Sequence, residues 1–326
     1  MRGTLPGSTA AGFLALCAAC VLPAAAADSS AMPRIGALVR PQSNAPYEAG
    51  FREGLRELGY VEGKSIAVDW RRSRGGEEDV TVAGNLARSK LDAIVVFSTP
   101  GAQAAMKANP NVPLVFLSGD PVATGLVASL ARPGGNATGL TGVMTELTSK
   151  RMELLQQLAP GVRRTICLAN PVNPASTLQC DAAKTAAHAL GVQFQELEAR
   201  NVGQLEAALA GLPRGTRNAL YVTADGLFLV NKAKIARAVR EARLPASFPF
   251  RDYHEHGVLM SYGLNPHEVG RKMADYVDRI LKGAKPGDLP VEQISKYELI
   301  IDLRVARDLG LEVPQNLVLQ ADRVIR

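Results

Sequence analysis

Short apolar runs recur along this chain, each followed by a stretch with helical spacing. Residues 34–39, 65–70, 93–97 and 112–117 are β-branched or alternating and read as strands. Between them, residues 47–58 set Phe51, Leu55 and Leu58 on one helical face and stop at Gly59. Residues 80–89 predict a second helix, and Ser98-Thr99-Pro100 opens a third that runs to Lys107. The second half repeats the alternation. Helices are predicted over 147–158, 175–190, 202–212, 228–242 and 266–281, and strands over 165–169, 192–197, 219–223, 247–250, 258–261 and 297–302. Such alternation predicts parallel sheets with helices on both faces, in two α/β lobes rather than one large sheet.

Residues 119–142 break the rhythm. Asp120-Pro121 ends the strand before it, because proline cannot donate to a ladder. Leu126, Val127 and Leu130 predict a short amphipathic helix. Arg132-Pro133-Gly134-Gly135-Asn136 makes a turn, and 138–141 leaves it extended. A chain leaving one lobe, lining a crevice and entering a second lobe has this form.

Length agrees with two lobes, since 326 residues exceed one ordinary domain. A hydrophobic content of 47% with 21% charged residues describes a folded chain rather than a disordered one. The net charge of +6 is spread, with no run of five basic residues, which argues against a nucleic-acid partner. Residues 1–27 read as a signal peptide: Met1-Arg2, an alanine-rich apolar stretch, then Ala25-Ala26-Ala27 as a small-residue cleavage site. Pro23 and Asp28-Ser29-Ser30 argue against a full membrane span. A lipid anchor on Cys17 or Cys20 is the variant reading. Cys167 and Cys180 remain after cleavage, either as a disulfide or as two buried thiols.

Enzyme chemistry finds little support. Gly63-Lys64-Ser65 lacks the spacing of a phosphate-binding loop and precedes a strand, so it reads as a turn. No Gly-x-Gly-x-x-Gly follows the first strand and no Gly-x-Ser-x-Gly elbow occurs, so no cofactor and no hydrolase are expected. His254-Glu255-His256 lacks zinc-ligand spacing and reads as exposed loop histidines, with no metal. What remains is a set of polar residues at the ends of predicted strands: Ser98, Thr99, Ser118, Asp120, Asn170, Thr223, Asp225, Asp252 and Tyr262. Each is either a turn former or helix cap, or a contact for a ligand in a cleft at the strand ends. Ser98 and Thr99 before a helix offer an anion site. Asp225 offers a partner for an ammonium group. Tyr47, Tyr253 and Tyr262 are candidates to close over an apolar side chain, with Arg40 and Arg251 as alternative carboxylate partners. An amino acid or related small carboxylate is the ligand class these suggest.

Two motifs carry a resemblance. The 119–142 stretch, and Gly257-Val-Leu-Met-Ser-Tyr-Gly263 followed by Ile280-Leu-Lys-Gly-Ala-Lys-Pro-Gly-Asp-Leu-Pro-Val-Glu-Gln293, closely resemble signatures of the ABC-transporter substrate-binding proteins of the tryptophan/tyrosine type. The resemblance covers nearly all of the chain after residue 32. It implies the type I periplasmic-binding-protein fold, with a hinge crossed near 138–141, 262–265 and 290–294. One lobe is then 32–140 plus 265–291, and the other 141–264 plus 292–326. It places Asp225 at the family's strand-end aspartate. It also implies ABC permease and ATPase subunits as partners, with the membrane reached only through them or through a lipid anchor. A periplasmic ligand sensor with the same fold is the alternative.

Overall fold

The computed structural model describes residues 1, 3, 32–40, 45–142 and 144–326. The signal-peptide and lipid-anchor expectations fall outside the described residues. The chain divides into two units, Met1–Ala31 and Met32–Arg326, and both sheets belong to the second.

The first half runs β1 (Arg34–Val39), α1 (Ala45–Glu57), β2 (Ala67–Arg72), α2 (Glu77–Ala87), β3 (Ala93–Val96), α3 (Thr99–Ala108), β4 (Leu114–Ser118) and β5 (Ala137–Thr141). It continues through α4 (Met144–Leu158), β6 (Arg164–Ala169), α5 (Pro174–Ala189), β7 (Gln193–Glu198), α6 (Val202–Ala210) and β8 (Asn218–Val222). Then come α7 (Gly226–Val230), α8 (Lys232–Ala242), β9 (Ala246–Phe248), a 3-10 turn at Arg251–His256, β10 (Met260–Gly263) and α9 (Pro266–Leu281). The tail is β11 (Glu292–Gln293), β12 (Glu298–Asp302), α10 (Leu303–Leu309), α11 (Gln315–Gln320) and β13 (Arg323–Ile325).

These strands form two sheets, ordered β11-β5-β4-β3-β1-β2 and β13-β12-β10-β9-β8-β6-β7. All pairings are parallel except β10 with β12. The central strands are buried along their whole length, as Ala-Ile-Val-Val of β3 and Leu-Val-Phe-Leu-Ser of β4 require when helices cover both faces. In the first lobe, α1 and α9 cover one face with Phe51, Leu55, Met273 and Val277. Helices α2 and α3 cover the other with Leu86 and Ala102. Helices α1 and α9 approach unusually closely: a Cβ on Gly50 would lie 1.9 Å from the His267 carbonyl, and one on Gly270 would lie 2.2 Å from that of Tyr47.

The chain passes between the sheets three times, after β5, after β10 and after β11. Glu292 and Gln293, expected beyond the last crossing, pair with Leu140 and Thr141 in the first sheet. Tyr297 clasps all three passages. Its hydroxyl donates to the Gly142 carbonyl at 3.2 Å and also to Ile294 O. Its ring lies 5.9 Å from that of Tyr262.

Three local expectations are corrected. Residues 121–130 form turns, not a helix, because Gly125 adopts φ +73° and ends the turn before it can propagate; Leu126 and Val127 are buried all the same. The 228–242 helix divides at Asn231, whose side-chain amide donates to the Leu227 carbonyl and competes with the backbone ladder. The 80–89 helix starts three residues earlier, its first turn carrying Glu77, Glu78 and Asp79 against the helix dipole.

Arg151 of α4 is fully buried and ties its helix to the second sheet. Its guanidinium donates to Tyr221 OH, Val222 O, Ser247 O and Ser247 Oγ, and stacks 4.1 Å from the Tyr221 ring centroid. Burial pulls its pKa below the ordinary arginine value. Arg151→Ala should cost about 3 kcal/mol, and Arg151→Met, which keeps the bulk, about half that. Urea unfolding at unchanged m checks both; equal, negligible losses would refute the clamp.

Candidate functional site

Strand ends and helix starts from both lobes meet in a cleft. Its inner chamber has about 80 Å³ of room for solvent, within about 640 Å³ of atom-free space that includes open solvent. Polar side chains cluster at the neck: Arg40, Ser98, Asn173 and Asp225 also line the outer cleft. Tyr47, Phe97, Leu117, Met144, Leu229 and Phe250 supply apolar and aromatic wall.

Asp225 caps α7, and its carboxylate is 7% exposed. Oδ1 accepts from Leu227 N at 2.8 Å and Asn170 Nδ2 at 3.2 Å, and Oδ2 accepts from Asn173 Nδ2 at 2.8 Å. The negative charge is therefore oriented without a neutralising cation in those bonds. Asn173 in turn caps α5 through Ala175 N, so one loop, 170–174, both starts a helix and holds the carboxylate. Gln179, one turn on, accepts from Ala224 N and braces the same strand end.

The first lobe presents the start of α3. Ser98 Oγ accepts from Gly101 N, and Pro100 occupies the first turn, where no backbone donor is needed. Thr99 Oγ1 and Ser118 Oγ lie 2.9 Å apart, and Gly119 N donates to Thr99 Oγ1 at 3.5 Å. Arg40 enters between the lobes. Its Nη1 and Nη2 grip both oxygens of the buried Asp79, and Nη1 also meets Ser73 Oγ at 3.1 Å.

Ser98, Thr99, Ser118 and Asp225 line the inner chamber. Asn170 lines the outer cleft and acts on Asp225. The other expected contacts lie elsewhere. Thr223 is fully buried, donating to the Leu168 carbonyl and paired with Ser176 Oγ at 2.6 Å, so it fastens a strand end to α5. Asp120 accepts from Ala123 N and stabilises the turn after β4. Tyr262 stacks on Tyr297 at the hinge. Tyr253 is buried against Phe248, its ring centroid 4.5 Å away, rather than facing the chamber. Arg251 pairs with Glu298. Asn173, Gln179, Phe97 and Phe250 were not anticipated as lining. The Asn-Pro doublet at 173–174 was the visible signal for the first, being the form of a helix cap followed by proline.

Asp252 lies in a separate flank cavity of about 1090 Å³, with Arg251, His254 and Arg304 on one side and Pro46 and His267 on the other. Burial pushes its carboxyl pKa up. Burial also raises the Tyr47 hydroxyl, and the Asp252 carboxylate adds to that rise. His254, expected to be exposed, is largely buried beside Ser261 Oγ at 3.0 Å. Among the described residues, no group of three His, Cys, Asp or Glu is placed to hold a metal. Cys167 and Cys180 are free thiols buried in one core cluster. Burial raises the Cys167 pKa, with the Cys180 thiol adding to it.

The two lobes have the type I periplasmic-binding-protein fold, the architecture that the sheet pattern and structural neighbours share. Residues 35–325 match the ABC transporter substrate binding protein family, and the chain belongs to it. That family is one of substrate-binding proteins rather than enzymes. A relative, the Tyrosine-binding protein of Clostridioides difficile (strain R20291), is 27% identical over 289 residues, which cover 87% of this chain and 83% of the relative. The ABC domain in complex with L-Trp from Streptococcus pneumonia is 25% identical, with 89% of this chain and 100% of that one covered, at a TM-score of 0.80. The ligand-free, open structure of a substrate binding protein with adhesive properties from Clostridium difficile is 26% identical, with 90% and 99% covered, but scores 0.63. Across the cleft, a Cβ on Gly119 of the first lobe would lie 3.1 Å from that of Ala175 in the second. Among the described residues no helix is long and apolar enough to cross a membrane.

His254 yields a pH expectation. Burial lowers its pKa from 6.5 to about 4. The unfolded chain then binds a proton more readily than the folded one. The stabilisation is complete above 6.5 and is lost as pH falls toward 4. Asp252, shifted upward, acts in the opposite sense. Melting temperature followed from pH 7 to pH 4 should fall less steeply for His254→Gln than for the parent; parallel curves would refute the assignment.

Proposed function

We propose that this chain is the extracytoplasmic substrate-binding protein of an ABC importer and that it takes a free α-amino acid with an apolar or aromatic side chain into the cleft between its lobes. The observation that carries this reading is the chamber's polarity. A carboxylate held by two side-chain amides and a backbone N–H stands at the neck, beside the hydroxyls and helix start of α3. The interior beyond is aromatic and aliphatic. An ammonium group on Asp225 and a carboxylate at Ser98, Thr99 and the start of α3 suit one zwitterion, because both groups flank Arg40. The tyrosine-binding relative and the L-Trp complex support the choice of side chain. Binding needs no chemistry. Contacts from both lobes favour the closed arrangement, and the closed form docks on permease and ATPase subunits. The leader over residues 1–27 delivers the protein to the periplasm.

A thermal-shift screen of the mature protein from Asp28, stripped of carried-over ligand, tests the reading against amino acids, small carboxylates, purines and sugars. Tyrosine or tryptophan at ~100 times Kd should add about 2.7 kcal/mol of stability. A response confined to sugars or purines would overturn it. Asp225→Asn preserves the helix cap and removes the charge. It should weaken binding of an amine-bearing ligand by about tenfold to a hundredfold, with circular dichroism unchanged and the unliganded melting temperature lowered, because the new amide NH2 faces the Asn173 Nδ2 donor. Unaltered affinity would remove Asp225 from the ammonium role.

A further inference from the structure

Arg40 stands where the cleft narrows. It lines the inner chamber and also an outer cleft. The outer space lies between α2 and α3 of the first lobe and the loops at 170–173 and 200–202 of the second. The guanidinium does not float in this gap. Asp79, 2% exposed, holds it through both oxygens, Ser73 adds its hydroxyl at 3.1 Å and its carbonyl at 3.3 Å, and Ser98 Oγ lies 3.4 Å from Nη2. On the far side the arginine stem lies against the second lobe. A Cβ on Gly226 would come within 3.0 Å of Arg40 Nε and 3.5 Å of its Cγ and Cδ. The side chain therefore spans the cleft from one lobe to the other, and a glycine lets it do so.

The position of this arm has a consequence for selection. It lies beside Ser98 and beside Gly226, next to Asp225, at the polar end of the chamber. An amino acid seated there points its side chain into the apolar interior and its amino and carboxyl groups toward the arm. A peptide would have to carry its next residue past the same point into the outer cleft.

We propose that Arg40 is a steric bar that restricts the inner chamber to free amino acids and excludes peptides, the bar being braced by Asp79 and completed by Gly226 when the lobes close. The inference rests on the amino-acid reading and adds its specificity rule. Asp79 sets the angle of the arm and touches no ligand. The outer cleft lies directly beyond the neck, and Arg40 is the side chain there that reaches from one lobe to the other.

Arg40→Ala alone would leave Asp79 buried without its partner and endanger folding. The test therefore uses Arg40→Ala with Asp79→Asn, and Arg40→Met with Asp79→Asn. Met keeps the part of the arm that lies against Gly226, out to about the position of Nε, and drops the guanidinium and its charge. Circular dichroism confirms the fold of each, and calorimetry measures L-tyrosine, L-tryptophan, Tyr-Gly and Gly-Tyr. The parent should bind the free amino acids at least about a hundredfold more tightly than either dipeptide. The Ala variant should narrow that ratio by at least about tenfold for one dipeptide, and the Met variant should keep it. An unchanged ratio in the Ala variant, equal loss of selectivity in both variants, or tight dipeptide binding by the parent would each overturn the bar while leaving the amino-acid reading intact. If the parent binds neither tyrosine nor tryptophan, the amino acid that gives the largest thermal shift and its two glycine dipeptides replace the four probes; if no amino acid binds, the amino-acid reading fails and the bar falls with it.

Discussion

Arg40 and Asp225, both buried and from opposite lobes, meet at the neck of the cleft, and the protein has to satisfy both. Removing a charge from water is costly unless hydrogen bonds or an opposite charge replace what water supplied. Arg40 is served by the paired oxygens of Asp79 and by Ser73, all within the first lobe. Asp225 is served by amides and a backbone N–H, all within the second. Each lobe thus supplies hydrogen bonds to its own charged side chain, and those bonds lie within the lobe that carries it.

The difference in how the two charges are met also sorts their roles. Arg40 is neutralised by a carboxylate and serves best as a rigid arm. Asp225 is oriented by donors that carry no charge, so its field still reaches into the chamber. The proposed roles follow that division: Asp225 as the partner of an ammonium group, Arg40 as the group that shapes the space. Behind both stands the hinge, where Tyr297 links the first and third passages and stacks on the start of the second. The three passages are thus tied together at one ring.

The alternation of β-branched runs and amphipathic stretches made two parallel α/β lobes legible from the residues alone. Burial on both faces forces continuous apolar strands such as 93–96, and helix faces such as Phe51 and Leu55 have one periodicity that fits. The candidate site was legible by halves. Ser98-Thr99-Pro100 announces a capped helix, and Asp225 follows an apolar strand, so both could be placed at strand ends. Thr223, Asp120 and Tyr262 carry the same local signal but fasten a strand to α5, a turn and a hinge instead. Nothing within a few residues of each distinguishes a side chain that faces a cleft from one that caps a turn.

What the sequence determined by itself was therefore everything set by near neighbours: the elements, their caps, the two-lobe alternation and the family signature over residues 119–142. The tertiary structure alone decided what depends on distant pairs. It brought Asn170 and Asn173 onto Asp225 from more than fifty positions away, paired Arg40 with Asp79, and returned β11 to the first sheet. The physical reason is range. Hydrophobic periodicity and helix capping act within one or two turns of chain, whereas the solvation of a buried charge is settled by whichever groups the completed fold brings beside it.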